Sequence, residues 1–325
     1  MRCLLTLYKR NAKLWQNVTE SNALDDKRNN VLKRWLLFSF WIMVSSLLFA
    51  KPLIALVRLS LTNENASHLI LIPFLTAGLL FIERRTVFNN LSFKAGGAIF
   101  LSLSVIIAIS VRLAGDIMTP DLRLTGNVLA VILLWIAGFA FCFGMAAVKS
   151  AYFSFLFLFL TVPVPNFLLE RIISLLQTGS AEITEVLFNL TGVPVLREGL
   201  VFHLARVNIE VARECSGIRS TIALFILALP AVHYGLHSIW KKLFFLTCAF
   251  FMMILKNGVR IVTLTLLAMY VDPSFLFGTL HRDGGIVFFM LGLLLLLPVF
   301  LLLQRGESPA LAGKKELAAS SEPRN

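Results

Sequence analysis

Acidic side chains are scarce in this chain. Its 325 residues hold 18 Asp and Glu against 30 Lys and Arg, a formal net charge of +12, and charges of both signs together make up only 15%. The basic excess is dispersed along the ends of apolar runs rather than gathered in an aromatic-interleaved domain. Nucleic acid is therefore not the expected partner, because such binding needs a concentrated basic surface. Cations flanking apolar segments are instead what membrane topology requires. Cysteine is equally sparse, with Cys3, Cys142, Cys215 and Cys248 alone. Neither their number nor their spacing supports a disulfide framework or a zinc site. His233 and His237 stand at i, i+4 but have no acidic third ligand beside them, so no metal and no cofactor is expected. The first 34 residues lack an apolar core, which argues against a cleavable signal peptide there. Cys3 follows no apolar segment, so a lipoprotein anchor is not expected either.

What the chain has in excess is apolar length. Hydrophobic residues reach 58% and the mean hydropathy is +0.82, above the roughly 45–50% apolar share of soluble domains. The excess lies in runs such as WLLFSFWIMVSSLLFA and GGIVFFMLGLLLLLPVFLLL. Nearly uncharged runs of about 18 residues or more can cross a hydrocarbon layer about 30 Å thick. Only helices or closed barrels satisfy their backbone there. The expected fold is an all-α integral membrane protein of about eight transmembrane helices, near 35–57, 67–82, 95–111, 125–147, 150–164, 216–236, 243–271 and 285–304. Residues 1–34 form a basic tail, 35–304 the membrane domain and 305–325 a polar tail. Between the fifth and sixth spans, residues 165–214 form a non-spanning cap. FLLERIISLLQTG and SAEITEVLFNLTG read there as two amphipathic stretches lying at an interface. VPVLREGLVFHLARVNIEVARE reads as one or two strands, a candidate hairpin.

Charge orients this arrangement. With the N-terminus inside, the inner segments hold the basic tail, Arg84, Arg85, Lys94, Lys149, Lys241, Lys242 and the C-terminal Arg305, Lys314, Lys315 and Arg324. The short outer links hold only Arg112, Arg123 and Arg282, and the cap mixes its arginines with acidic residues. This is the positive-inside pattern, and it places both termini in the cytoplasm of a cell, or inner, membrane.

Several polar residues then need an explanation. Lys256 and Arg260 lie inside the seventh span, where a buried cation is costly unless a polar cavity or partner meets it. Asn257 precedes Arg260 by three residues and shares its face. RECSGIRS falls at the outer end of the sixth span, with Glu214 before Cys215 and Arg219 on the first turn after it. His281 lies in the last outer link. A thiol at a helix start beside cations is activated as a nucleophile, and a Cys–His–Arg set can attack a carbonyl, move its proton and stabilise the oxyanion. From the residues alone two readings of Cys215 stand, a catalytic thiol or an inert interfacial cysteine. Two non-enzyme readings of the chain also stand. It could be a transporter, although no inverted repeat supports one, or a non-catalytic component of a polysaccharide or protein export system.

The segment VPVLREGLVFHLARVNIEVARECSGIRS resembles the signature region of the exosortase/archaeosortase family. NGVR at 257–260 and HRDGG at 281–285 follow in that family's order, and SHLILIPFLTAGLLFIERR resembles its second helix. The resemblance covers roughly residues 60–300. It implies a membrane-embedded cysteine protease or transpeptidase with Cys215 as nucleophile, Arg260 as electrostatic partner and His281 as general acid/base. The retained histidine resembles the bacterial branch, which handles exported proteins ending in a PEP-CTERM-type signal of a short motif, a transmembrane helix and a basic tail, often alongside exopolysaccharide production. The partners implied are such proteins, membrane lipids, and a lipid, amine or glycan acyl acceptor. Arg219, Glu214, Asn257 and His68 are supporting candidates; for Arg219 an ion pair with Glu214 or Glu210 is an equal reading. Arg213, two before Cys215, departs from the small or apolar residue common at that place.

Overall fold

The computed structural model describes residues 31–88, 95–205, 207–213, 217–276 and 279–306, with the backbone alone at 95, 116, 276 and 279–284. Most of the 1–34 tail and of the 305–325 tail therefore lies outside the described residues, as do Glu214 and Cys215. The chain divides into two compact units, one ending at Pro165 and the other beginning at Asn166.

The first unit is helical. Its helices are α1 (Val31–Leu48), α2 (Ala50–Thr62), α3 (Ile72–Ile82), α4 (Arg84–Val87), α5 (Ala98–Ala114), α6 (Pro120–Phe143), α7 (Met145–Ser150) and α8 (Tyr152–Leu158). α6 starts on a proline, whose missing N–H and fixed φ suit a first helical position. It is apolar on nearly every face and forms the spine of the unit, with Val128, Ile132, Ile136, Phe139 and Phe143 buried. Neighbouring helices approach it through polar contacts to its backbone. Trp41 donates to Leu134 O at 2.8 Å and Ser104 to Ala130 O at 2.7 Å. Such bonds matter between helices in lipid, where no apolar force favours one helix face over another. α1 is the opposite case. It presents Leu36, Leu37, Phe40, Leu47 and Leu48 outward, as a helix bathed by lipid chains does.

The second unit contains α9 (Asn166–Thr191), strands β1 (Leu196–Glu198), β2 (Val201–His203) and β3 (Asn208–Glu210), and helices α10 (Ile218–Gly235), α11 (Ile239–Tyr270) and α12 (Thr279–Arg305). Among the described residues, five of the protein's helices are long and apolar enough to cross a membrane, or up to six if a bent pair counts as one span. It is a multi-pass membrane protein. The apolar stretches at Ile72–Ile82 and Ala98–Ala114 are shorter helices, and the expected first span is broken at Phe49 into α1 and α2.

Three local expectations change. The two amphipathic stretches of the cap are one continuous helix, α9. Gly179 does not break it, because a methyl group there would stand 3.1 Å from Ile254 Cδ1; that glycine serves close packing against α11. The one or two strands are three, in an antiparallel sheet of order β1-β2-β3 with Phe202 opposite both Arg197 and Ile209. Phe202 is fully buried among Phe188, Val211, Ile261 and Met269, so the sheet closes over α9 and α11. Arg197 fastens its edge with hydrogen bonds to Glu182 at 2.8 Å and Glu185 at 2.6 Å. The bonds to Glu182 first and then Glu185 raise its already high pKa. Finally, HRDGG is not a link but the first turns of α12. Each glycine costs roughly 1 kcal/mol of helix propensity, yet the backbone continues as helix through both.

α9 and α11 pack backbone to backbone at Gly258, where an added Cβ would lie 2.5 Å from Ile183 Cγ2. Gly258→Ala should lower stability by about 1–3 kcal/mol through overpacking. Gly78→Ala, at a position with nothing within 4 Å, should not. Thermal unfolding of the detergent-solubilised protein compares the two.

Candidate active site

α11 carries the polar face on which the site is built. At 1.5 Å per residue its 32 residues span about 48 Å, more than a hydrocarbon layer. Lys256, Asn257 and Arg260 are spaced i, i+1 and i+4, so they share one side of the helix. Lys256 and Asn257 are buried and Arg260 half-buried. Arg260 lies ten residues before the end of α11 at Tyr270, a depth of about 15 Å.

Asn257 organises its neighbours. Its Nδ2 donates to Ser180 Oγ of α9 at 2.9 Å. Its Oδ1 faces Gly217, where an added Cβ would approach it to 3.1 Å. Gly217 precedes α10 with φ +72°, a left-handed conformation that glycine adopts without steric cost. The Gly217 carbonyl is surrounded by donors from the first turn of α10: the Thr221 N–H, the Thr221 hydroxyl and the Ser220 hydroxyl, each at 2.9 Å. Ser220 in turn accepts from Lys256 Nζ at 2.5 Å. Arg219 is exposed on that same turn.

The other flank of RECSGIRS is held by α9. Gln177 Nε2 donates to Val211 O at 2.8 Å, and Arg213 forms an ion pair with Glu170. Glu170 and Gln177 are seven residues apart and share a face of α9. The departure at Arg213 thus has a structural account, since its guanidinium ties the segment before Cys215 to the first half of α9. Described residues are anchored on both sides of 214–216, by α9 before them and by α11 after.

Of the expected site residues, the structure brings Asn257, Arg260 and the start of α10 with Arg219 into one unit. The backbone of His281 lies in the first turn of α12 in that unit. Cys215 and Glu214 lie outside the described residues. His68 belongs to the first unit, where its carbonyl accepts from Leu71 and Ile72 at the start of α3. Ser180, Gln177 and Ser220 were not singled out from the sequence. The signal for Lys256 was available, as a charge inside a span. No such signal marks a serine or glutamine on an amphipathic helix.

The fold defines a multi-pass helical membrane protein whose second unit assembles polar side chains around one long helix. The chain belongs to the transmembrane exosortase family (Exosortase_EpsH), whose model matches residues 59–298. Membership supports a general exosortase-type sorting or processing role. No curated protein and no solved structure matches the chain.

Gly217→Ala should destabilise the protein by about 1–2 kcal/mol from the left-handed backbone alone, and further through crowding against Asn257. Gly192 has the same φ of +72° with nothing within 4 Å, so Gly192→Ala reports the backbone cost by itself. A larger fall in thermal midpoint for Gly217→Ala than for Gly192→Ala confirms the docking of this turn on α11; equal falls refute it.

Proposed function

We propose that the protein is a membrane-embedded cysteine protease or transpeptidase that removes the C-terminal sorting signal of exported proteins and passes the acyl group to an acceptor. The observation that carries this reading is the docking of Gly217, two residues beyond Cys215, on Asn257, one turn from Arg260. Two residues of chain reach at most about 7 Å, which bounds the separation of Cys215 from Gly217. The family match supports a sorting or processing role.

The substrate's signal helix would enter among the spans and present its scissile peptide at the outer surface, above residues 165–214 and the start of α10. This follows the positive-inside orientation, with both termini cytoplasmic and about eight crossings. The Cys215 thiolate attacks the peptide carbonyl carbon. The electron pair of the carbonyl moves to oxygen, and the Arg260 guanidinium stabilises that charge. The C–N bond then breaks, and His281 gives its proton to the leaving amine. An acyl-thioester remains on Cys215. In the second step His281 takes a proton from the acceptor, a water, amine, lipid or glycan hydroxyl, which attacks the thioester and releases the Cys215 thiolate. Arg219, Glu214 and His68 are supporting candidates, for charge balance around the thiol and for the substrate's entrance.

In cells that make a tagged substrate with a C-terminal motif, apolar helix and basic tail, Cys215→Ala should abolish C-terminal processing. Arg260→Gln and His281→Ala should lower its rate by roughly 100-fold or more. Immunoblotting of the substrate reports all three. Normal processing by Cys215→Ala would sink the acyl-transfer reading.

A further inference from the structure

Lys256 is 4% exposed in the middle of α11, and the mechanism above gives it no part. Among the described residues no carboxylate pairs with it. Its one hydrogen bond there is the 2.5 Å contact to Ser220 Oγ. Burying a charge without a counter-charge costs several kcal/mol, and an apolar side chain of similar volume is commonly as stable or more so. Packing stability therefore does not account for a lysine at this point.

The bond also has only one consistent direction. An ammonium has donors and no acceptor, so Ser220 must accept from Lys256. The single hydroxyl proton of Ser220 is then free to go to Gly217 O, 2.9 Å away. The result is a directed relay from Lys256 through Ser220 to the carbonyl of the left-handed turn that follows Cys215. The stem of the same lysine runs against α12, where a Cβ at Gly292 would meet Lys256 Cδ at 3.5 Å and Cγ at 3.7 Å. Lys256 thus touches α10 and α12 while standing one turn from Arg260 on α11. These are the three helices that begin beside Cys215, carry Arg260 and begin with His281.

We propose that Lys256 and Ser220 are positioning residues for the sorting reaction. Together they hold the Gly217 turn, and with it the start of α10, at one fixed setting against α11 and α12. The inference rests on the acyl-transfer reading of this site. It acts through geometry, so it bears on turnover rather than on substrate binding.

The test compares full-length wild type, Cys215→Ala, Ser220→Ala, Ser220→Thr, Lys256→Met and the Ser220→Ala/Lys256→Met pair, each purified in detergent. The substrate is a tagged polypeptide ending in a motif, apolar helix and basic tail, and thermal midpoints are recorded alongside kinetics. Ser220→Ala and Lys256→Met should each lower kcat by roughly 10- to 100-fold, as small misplacements of reacting groups do, with KM unchanged. Ser220→Thr keeps the hydroxyl and should restore most of the turnover. The double variant should be no worse than the poorer single one, because both break one relay. Wild-type kcat in both single variants, a loss expressed in KM, a Ser220→Thr as poor as Ser220→Ala, or a multiplied loss in the double variant would each overturn the proposal. If Lys256→Met does not fold, as its thermal midpoint would show, the Ser220 pair decides alone. Inactive Cys215→Ala beside fully active relay variants overturns this inference and leaves the acyl-transfer reading standing; active Cys215→Ala overturns that reading itself, and this one with it.

Discussion

A polar group inside an apolar layer has to find its partner within the protein, because no water is there to serve. The second unit is arranged around that constraint. α11 places an amide and two cations on one face well inside its length, and the surrounding elements converge on them with hydroxyls and backbone groups. Ser180 of α9 meets Asn257, Ser220 of α10 meets Lys256, and the Gly217 turn closes against the same amide. The apolar contacts among Leu224, Ala249, Met253 and Leu296 hold α10, α11 and α12 together. They are non-directional and would tolerate sliding. The polar contacts fix which residues face each other.

Close approach makes those short polar side chains sufficient. Serine reaches only a few ångströms from its backbone, so α9 can satisfy Asn257 only if the two helices nearly touch. Gly258 and Gly179 provide that proximity, each with a partner helix side chain where its own Cβ would be. Gly179 itself lies inside the continuous α9. A glycine between two amphipathic stretches suggests a break when the sequence is read along one helix, but here its missing side chain is filled by Ile254 of another. Tertiary packing outweighs the local propensity cost.

How far the sequence discloses the protein follows from the same physics. Long apolar runs reveal membrane helices because composition alone decides their solvent, so α6, α10, α11 and α12 were legible, as was the polar stripe of α11. The broken first span at Phe49 and the short α3 were not, since hydropathy does not register where a helix stops inside an apolar run. The third strand was hidden because three-residue strands carry too little alternation to be seen. At the site, Asn257 and Arg260 were legible as polar residues in an apolar context. Ser180, Gln177 and Ser220 were not, because a small polar residue on an amphipathic helix is unremarkable until its partner on another element is known. Arg213 was noticed as a departure, yet only the position of Glu170 on α9 gives it a role.

Arg213 and Lys256 show two ways of holding the same stretch of chain. The Arg213–Glu170 pair is more than half exposed on both sides, and such pairs add at most about 1 kcal/mol to stability. It ties Arg213 to α9, beside the buried Gln177–Val211 bond. On the far side Lys256 acts from the interior, where its cost in stability is real and its geometry is tightly constrained. The two flanks are thus held by different means, an exposed ion pair with a buried amide bond on one side and a buried lysine–serine contact on the other. On the α10 side, Ser220 links Lys256 of α11 to the Gly217 carbonyl.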